Sequence, residues 1–303
     1  MKVAVYGAGG VGGYFGARLA AAGNEVHFIA RGRHLAAMRE KGLRVESGAG
    51  PVHVAKPSLH EDPATIGQVD AVLFAVKLWD VESAAQKLKP AMRDGTIVIP
   101  FQNGIEAPEI LKKHLGAKHV ETGVAYIATS ISSPGVITHT GTMQRLQVGP
   151  AAKAFADALK TAGVNVEVTP DIERARWEKF VFLVGISSAT AVARAPVGVV
   201  RSDPDLRWLL EQCMQETWRL AKKRGVALPD DFVAGRMKHV DSLHADMKAS
   251  LLHDLENGGR LEAPWLCGAV ARMSAEAGFD APVNRAVFAA LKPFVNGSPG
   301  KAA

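Results

Sequence analysis

The chain has 303 residues, 48% hydrophobic and 22% charged, the composition of a soluble globular protein of one large or two smaller domains. Its net charge of +6 is spread without a concentrated basic tract, which suits an anionic small molecule and argues against nucleic acid. Two cysteines without metal-type spacing, Cys213 and Cys267, argue against structural disulfides and zinc and for a reducing cytoplasm, so no metal is expected.

The N-terminal KVAVYGAG is a short β run that begins at once, leaving no room for a signal peptide. A small-residue helix follows from about Val11 to Ala22, then a strand over Glu25 to Arg31 and a helix over Arg33 to Gly42 that stops at the glycine. LRVESGAGPVHVAKP reads as a hairpin across Ser47 to Pro51. Val69 to Lys77 and Gly95 to Gly104 are continuous apolar runs, as expected of parallel strands buried on both faces, with the helix VESAAQKLKPAM between them. VETGVAYIAT, GVITHTG and MQRLQVGP read as three further strands separated by turn residues. This alternation predicts an α/β domain built on a parallel sheet with right-handed crossovers.

Past about Thr169 the strand signals stop. Helical patterns run over Ile172 to Ala193, Asp205 to Arg224, Phe232 to Leu255, Trp265 to Ala277 and Val283 to Phe294. Ser202-Asp-Pro and Pro282 read as helix starts, Gly225 and Gly278 as stops. The nearest thing to a basic run, Lys222 to Arg224, falls in a last helical turn, where it complements the helix dipole. The longest uncharged run, Phe180 to Ala193, is too short to span a bilayer, so no membrane association is expected. The tail from Asn296 is rich in small residues and is expected to fray.

Gly7-Ala8-Gly9-Gly10-Val11-Gly12 is a G-x-G-x-x-G. Alone it is a weak signal, but it follows an N-terminal strand and opens a small-residue helix, the setting of a dinucleotide-binding turn. Gly7 allows the tight turn, Gly9 lets backbone approach a pyrophosphate, and Gly12 permits close packing of helix on strand. A site for NAD wants a carboxylate at the end of the second strand; the sequence there is Ala30-Arg31-Gly32-Arg33-His34. Arg31 suits a 2′-phosphate, which points to NADPH/NADP+ as cofactor. Lys77 ends the third strand and Asn103 the fourth, where open α/β sheets bind ligands. The predicted architecture is therefore a Rossmann-type NADP-binding domain over residues 1–169 and an all-helical substrate and catalytic domain over 170–303.

WEKFVFLVGISSAT, Trp177 to Thr190, sets one lysine at the start of an apolar helix. Lys179 shares a face with Leu183, Ile186 and Ser187. A buried ammonium shifts its pKa downward, which makes such a lysine usable as an acid or base near neutral pH.

Taken in order, GAGGVG, Arg31, the Val76-Lys77 pair, Gln102-Asn103-Gly104, Trp177-Glu178-Lys179, Ser250 to Glu262 (SLLHDLENGGRLE) and Pro282 to Lys292 (PVNRAVFAALK) resemble the ketopantoate reductases, the 2-dehydropantoate 2-reductase family, over nearly the whole chain. The resemblance implies a cytoplasmic oxidoreductase that uses NADPH to reduce a 2-oxo acid, 2-dehydropantoate to pantoate in pantothenate biosynthesis. It implies Lys179 as general acid, Glu262 at the substrate's distal hydroxyl, Ser250 at its carboxylate, and Asn103 bridging cofactor and substrate. Asp254 is expected to support the site. The family commonly has asparagines where this chain has Leu183, Ser187 and Val197, so the pocket wall beside the lysine is more apolar, with Ser187 the polar group left to meet substrate. That departure leaves room for a less polar 2-oxo acid, and a non-catalytic NADPH-binding sensor is the reading from another class. A homodimer is compatible with the helical half, although no residue assigns its interface.

Overall fold

The structure, a computed structural model, describes residues 1–298. Of the tail expected to fray, residues 299–303 lie outside the described residues. The chain divides into two compact units. The first holds residues 1–102 and 106–172; the second holds 103–105 and everything from Glu173 onward.

The first unit begins with β1 (Lys2–Tyr6), α1 (Gly10–Ala21), β2 (Glu25–Ile29), α2 (Gly32–Lys41), β3 (Leu43–Ser47), β4 (Val52–Val54) and β5 (Ser58–His60). It continues with β6 (Ala71–Phe74), α3 (Val81–Leu88), β7 (Ile97–Pro100), α4 (Ala107–Leu115), β8 (Gly123–Ser133), β9 (Val136–Val148), α5 (Lys153–Thr161) and β10 (Asn165–Val168). The first sheet has the order β5-β2-β1-β6-β7 and is parallel throughout. The chain turns back across this sheet between β1 and β6, a switch point of the kind beside which such sheets bind ligands. The loop after β1 is the glycine turn.

A second sheet was not foreseen. Its order is β10-β9-β3-β4, with β8 antiparallel to β9 and β4 antiparallel to β3, so a single parallel sheet is too simple a description. GVITHTG and MQRLQVGP form one strand, β9, whose pairing with β8 is interrupted between His139 and Gln144, around Gly141 at φ of +77°. Between Gly149 and Thr169, α5 and β10 add a helix and a strand that the sequence reading leaves out. The helix α1 packs against strands of both sheets, which explains why it is apolar and small-residue all round. Tyr14, Phe15, Val5, Phe28 and Ile137 meet in the core around it.

The second unit is helical: α6 (Ile172–Ala193), α7 (Val197–Ser202), α8 (Pro204–Lys223), α9 (Phe232–Ser242), α10 (Ser250–Glu256), α11 (Cys267–Glu276) and α12 (Pro282–Leu291). The start signals hold: the Asp203 carboxylate accepts from the amides of Asp205 and Leu206 with Pro204 at the first helical position, and α12 opens at Pro282. The expected helix from Phe232 to Leu255 is broken in two. Arg201 takes the end of α9 by donating to the carbonyls of Val240, Asp241 and Leu243. The segment after Leu243 is then stitched to the start of α7, with the Val197 and Gly198 amides donating to Met247 and Ala245 at 2.9 and 2.8 Å. Val197, expected on the face of Lys179, belongs to α7 and not to α6. Cys213 and Cys267 are free thiols in the core of this unit, where burial pushes the Cys267 thiol up to about 12 and the Cys213 thiol higher still. Among the described residues no helix is long and apolar enough to cross a membrane.

Candidate active site

The glycine turn has the shape a pyrophosphate needs. Gly7 has φ of +99°, and a Cβ there would lie 2.7 Å from the Ala75 backbone. A Cβ on Gly12 would stand 2.1 Å from the Gly7 carbonyl oxygen, so only glycine lets α1 lie this close to β1. Gly9 differs: its backbone is extended and its missing Cβ would meet nothing within 4 Å, leaving the outer face of the turn open. Gly10 and Val11 form the first turn of α1, whose start has no side-chain cap and no acidic residue. Unsatisfied amides and a positive dipole end there fit an anion.

Two residues that the motif does not reveal support the turn. The Gly135 amide donates to His34 Nδ1 at 3.1 Å, so His34 Nε2 carries the hydrogen and donates to the Ala8 carbonyl at 2.9 Å. Burial holds the His34 pKa below its ordinary value, favouring this neutral brace. The Thr129 carbonyl and hydroxyl crowd the position a Gly10 Cβ would take, and Thr129 Oγ1 is enclosed with no partner among the described residues. Arg31 lies beyond β2, as the residue before α2, and is exposed, its guanidinium on the Asp80 carboxylate at 2.6 Å. Lys77 is exposed beyond β6, its ammonium 5.5 Å from the centre of the Trp79 ring.

In the second unit, α6 carries the lysine. Lys179 Nζ donates to Asn103 Oδ1 at 3.0 Å. Burial pushes the Lys179 pKa down to about 8, and the carboxylate of Glu262 pulls partly against that shift. Glu262 is itself 9% exposed, at the start of the turn Ala263–Trp265. Two of the expected site residues, Asn103 and Glu262, therefore both act on a third, Lys179. Ser187 is fully buried two turns along α6, and its hydroxyl has no hydrogen-bond partner among the described residues. Ser250 is exposed at the first residue of α10.

Asn103 belongs to this helical unit because its segment is fastened to α6 twice. Arg176, one turn before Lys179 and 9% exposed, donates to the Ile105 carbonyl at 3.1 Å; Ile105 is buried in the helical core. Glu173 then accepts from both Arg176 and Trp177 Nε1, at 2.6 and 2.9 Å. Nothing in the sequence pairs Arg176 with Ile105, 71 positions away. Arg176→Met leaves the Ile105 carbonyl unpaired, which costs about 1–3 kcal/mol. It also releases the acceptor of the Lys179 amine. We expect a lower melting temperature together with a lower kcat, part of both returning in Arg176→Lys, measured by thermal unfolding and steady-state turnover.

Family models match both halves of the chain: "Ketopantoate reductase PanE/ApbA" over residues 3–153 and "Ketopantoate reductase PanE/ApbA C terminal" over 171–295. The 2-dehydropantoate 2-reductase of Halobacterium salinarum is 33% identical, the match covering 94% of this chain and 96% of that one. The enzyme of the same name from Archaeoglobus fulgidus is 32% identical, covering 94% of each. The crystal structure of a PanE/ApbA family ketopantoate reductase from Ralstonia eutropha JMP134 superposes with a TM-score of 0.90 at 33% identity, covering 97% of this chain and 98% of the other. With a glycine turn shaped for a dinucleotide in one unit and a low-pKa lysine in the other, the chain belongs to the ketopantoate reductase family and is a dinucleotide-dependent oxidoreductase acting on CH–OH groups.

Proposed function

We propose that the chain reduces a 2-oxo acid to the 2-hydroxy acid with NADPH, and that 2-dehydropantoate is the first substrate to test. The reading assigns cofactor binding to residues 1–169 and substrate and proton chemistry to 170–303, with Asn103 proposed to serve both roles. One observation carries it: an amine brought to a pKa of about 8 by burial, held on an amide oxygen and faced by a carboxylate. A bound NADPH supplies the hydride. Lys179 in its ammonium form polarises the keto oxygen and gives it a proton as negative charge develops there. Asn103 Oδ1 orients that ammonium, and Glu262 favours its charged form. Ser250, exposed at the head of α10, is the proposed partner of the substrate carboxylate, and Ser187 the remaining polar group on the lysine's face.

The cofactor side rests on the turn Gly7, Ala8, Gly9, Gly10, Val11 and Gly12, on Arg31 for the 2′-phosphate, and on Lys77 and Asn103. A guanidinium on a phosphate contributes about 1.5–3 kcal/mol. Arg31→Ala is therefore expected to weaken NADPH binding by about ten- to a hundredfold, with NADH little changed. Fluorescence titration of the reduced cofactors measures both. An unchanged preference would take Arg31 out of the site.

A second substrate is favoured by Leu183, which is partly buried against the helical core on the lysine's face where the family commonly has an amide. A less polar 2-oxo acid suits that wall. Comparison of kcat/KM for 2-dehydropantoate with straight-chain, branched and aromatic 2-oxo acids, each with NADPH and NADH, decides between the two. No turnover of any 2-oxo acid with either cofactor would end the proposal.

A further inference from the structure

Asp80 is a charged group that the proposed chemistry leaves without a role. It closes the turn Leu78–Asp80 after β6, and its place is fixed: its amide donates to the Lys77 carbonyl at 2.9 Å, and its own carbonyl accepts from the Ser83 hydroxyl at 3.1 Å. From there its carboxylate reaches Arg31 Nη2 at 2.6 Å, across 49 positions of sequence. The Asp80 side chain is 26% exposed and that of Arg31 80% exposed, so the carboxylate is the better-held partner and the guanidinium the one free to move. Asp62, beyond β5, stands near enough to act with Asp80 on the Tyr6 phenol, whose pKa burial raises first and both carboxylates raise further, against Arg31. Arg31 thus lies in a locally acidic setting.

We propose that Asp80 is a specificity-determining residue that competes with the cofactor's 2′-phosphate for Arg31, narrowing the preference for NADPH over NADH that Arg31 creates. Asp80 engages Arg31 through Nη2, so that donor is not available to a phosphate that approaches the same edge of the guanidinium. An arriving phosphate must displace the carboxylate and then remain beside it, which like charge disfavours. An arriving 2′-hydroxyl faces neither cost, and the Arg31–Asp80 pair survives. The carboxylate expected at the end of β2 for NAD is absent, and one from the turn after β6 takes over part of its discriminating effect. This inference rests on the reading that Arg31 meets the 2′-phosphate.

The test is fluorescence titration of NADPH and NADH on the full chain without substrate, for the wild type, Asp80→Asn, Arg31→Ala and the double variant, with thermal unfolding of each. Asp80→Asn is expected to tighten NADPH by about three- to tenfold and to leave NADH within twofold, and most of that gain should vanish in the Arg31→Ala background. If Asp80→Asn changes both cofactors equally, leaves both unchanged, or weakens NADPH, the competition is overturned. Arg31→Ala separates the two failures. A collapsed NADPH preference in Arg31→Ala beside an inert Asp80→Asn sinks only the competition. An intact preference in Arg31→Ala sinks the underlying assignment of Arg31 as well.

Discussion

Lys179→Ala is expected to lower kcat by about two to four powers of ten, the usual contribution of a positioned general acid, while NADPH still binds. In Lys179→Ala, α6 keeps its buried Trp177, Phe180 and Val181, and alanine is the best helix former, so the protein should still fold. Lys179→Arg keeps the charge but should not restore turnover, because a guanidinium stays protonated and cannot give its proton up. The wild-type pH dependence tests the same group. Reduction needs the ammonium, so kcat/KM for the 2-oxo acid should hold below about 8 and fall as pH rises through the Lys179 pKa. Oxidation of the 2-hydroxy acid needs the free amine and should rise through the same pH. Removing the Glu262 carboxylate takes away what favours the ammonium, so in Glu262→Gln both inflections should move to lower pH. Wild-type kcat in Lys179→Ala, or a flat profile across that region, would show that the proton comes from elsewhere.

What the sequence made legible was local. The glycine turn, the start of α8 at Asp203-Pro204 and the stop of α2 at Gly42 are written in neighbouring residues, and each lies where those residues place it. The far end of α6 could be read because its uncharged run from Phe180 to Ala193 is unbroken, which marks a helix covered on most sides there. The break between α9 and α10 was not legible, since its causes, Arg201 and the amides of Val197 and Gly198, lie about 40 to 50 positions upstream. The second sheet was hidden for a similar reason. Parallel pairing of β3 with β9 joins residues some 90 apart and leaves no short-range signature in either strand. In the site, residue types announced Lys179 and Arg31, whereas the groups that set their behaviour, Arg176 behind Asn103 and Asp80 against Arg31, appear only once the chain is folded.

Gly9→Ala and Gly12→Ala should part company, because one of these glycines serves the ligand and the other the fold. A methyl at Gly12 would sit 2.1 Å from the Gly7 carbonyl oxygen and 3.1 Å from Val5 Cγ1, so α1 must lift off β1. Overpacking of this kind costs about 1–3 kcal/mol and more where backbone must yield, and α1 is covered by both sheets, so there is little room to yield. Gly12→Ala is therefore expected to melt well below the wild type whether or not cofactor is present. At Gly9 the same methyl meets nothing, and the extended backbone is open to any residue. The apo protein should keep its stability to within about 0.5 kcal/mol, any change being a slight gain because alanine restricts the unfolded chain. Dinucleotide affinity should nevertheless fall by about ten- to a hundredfold, the equivalent of one or two amide-to-phosphate hydrogen bonds, because the methyl occupies the face where the pyrophosphate has to touch backbone. Thermal unfolding of the apo forms beside NADPH titration reads both quantities. Full affinity in Gly9→Ala would mean that the turn is glycine-rich only to let α1 pack, and the place proposed for the cofactor would be wrong.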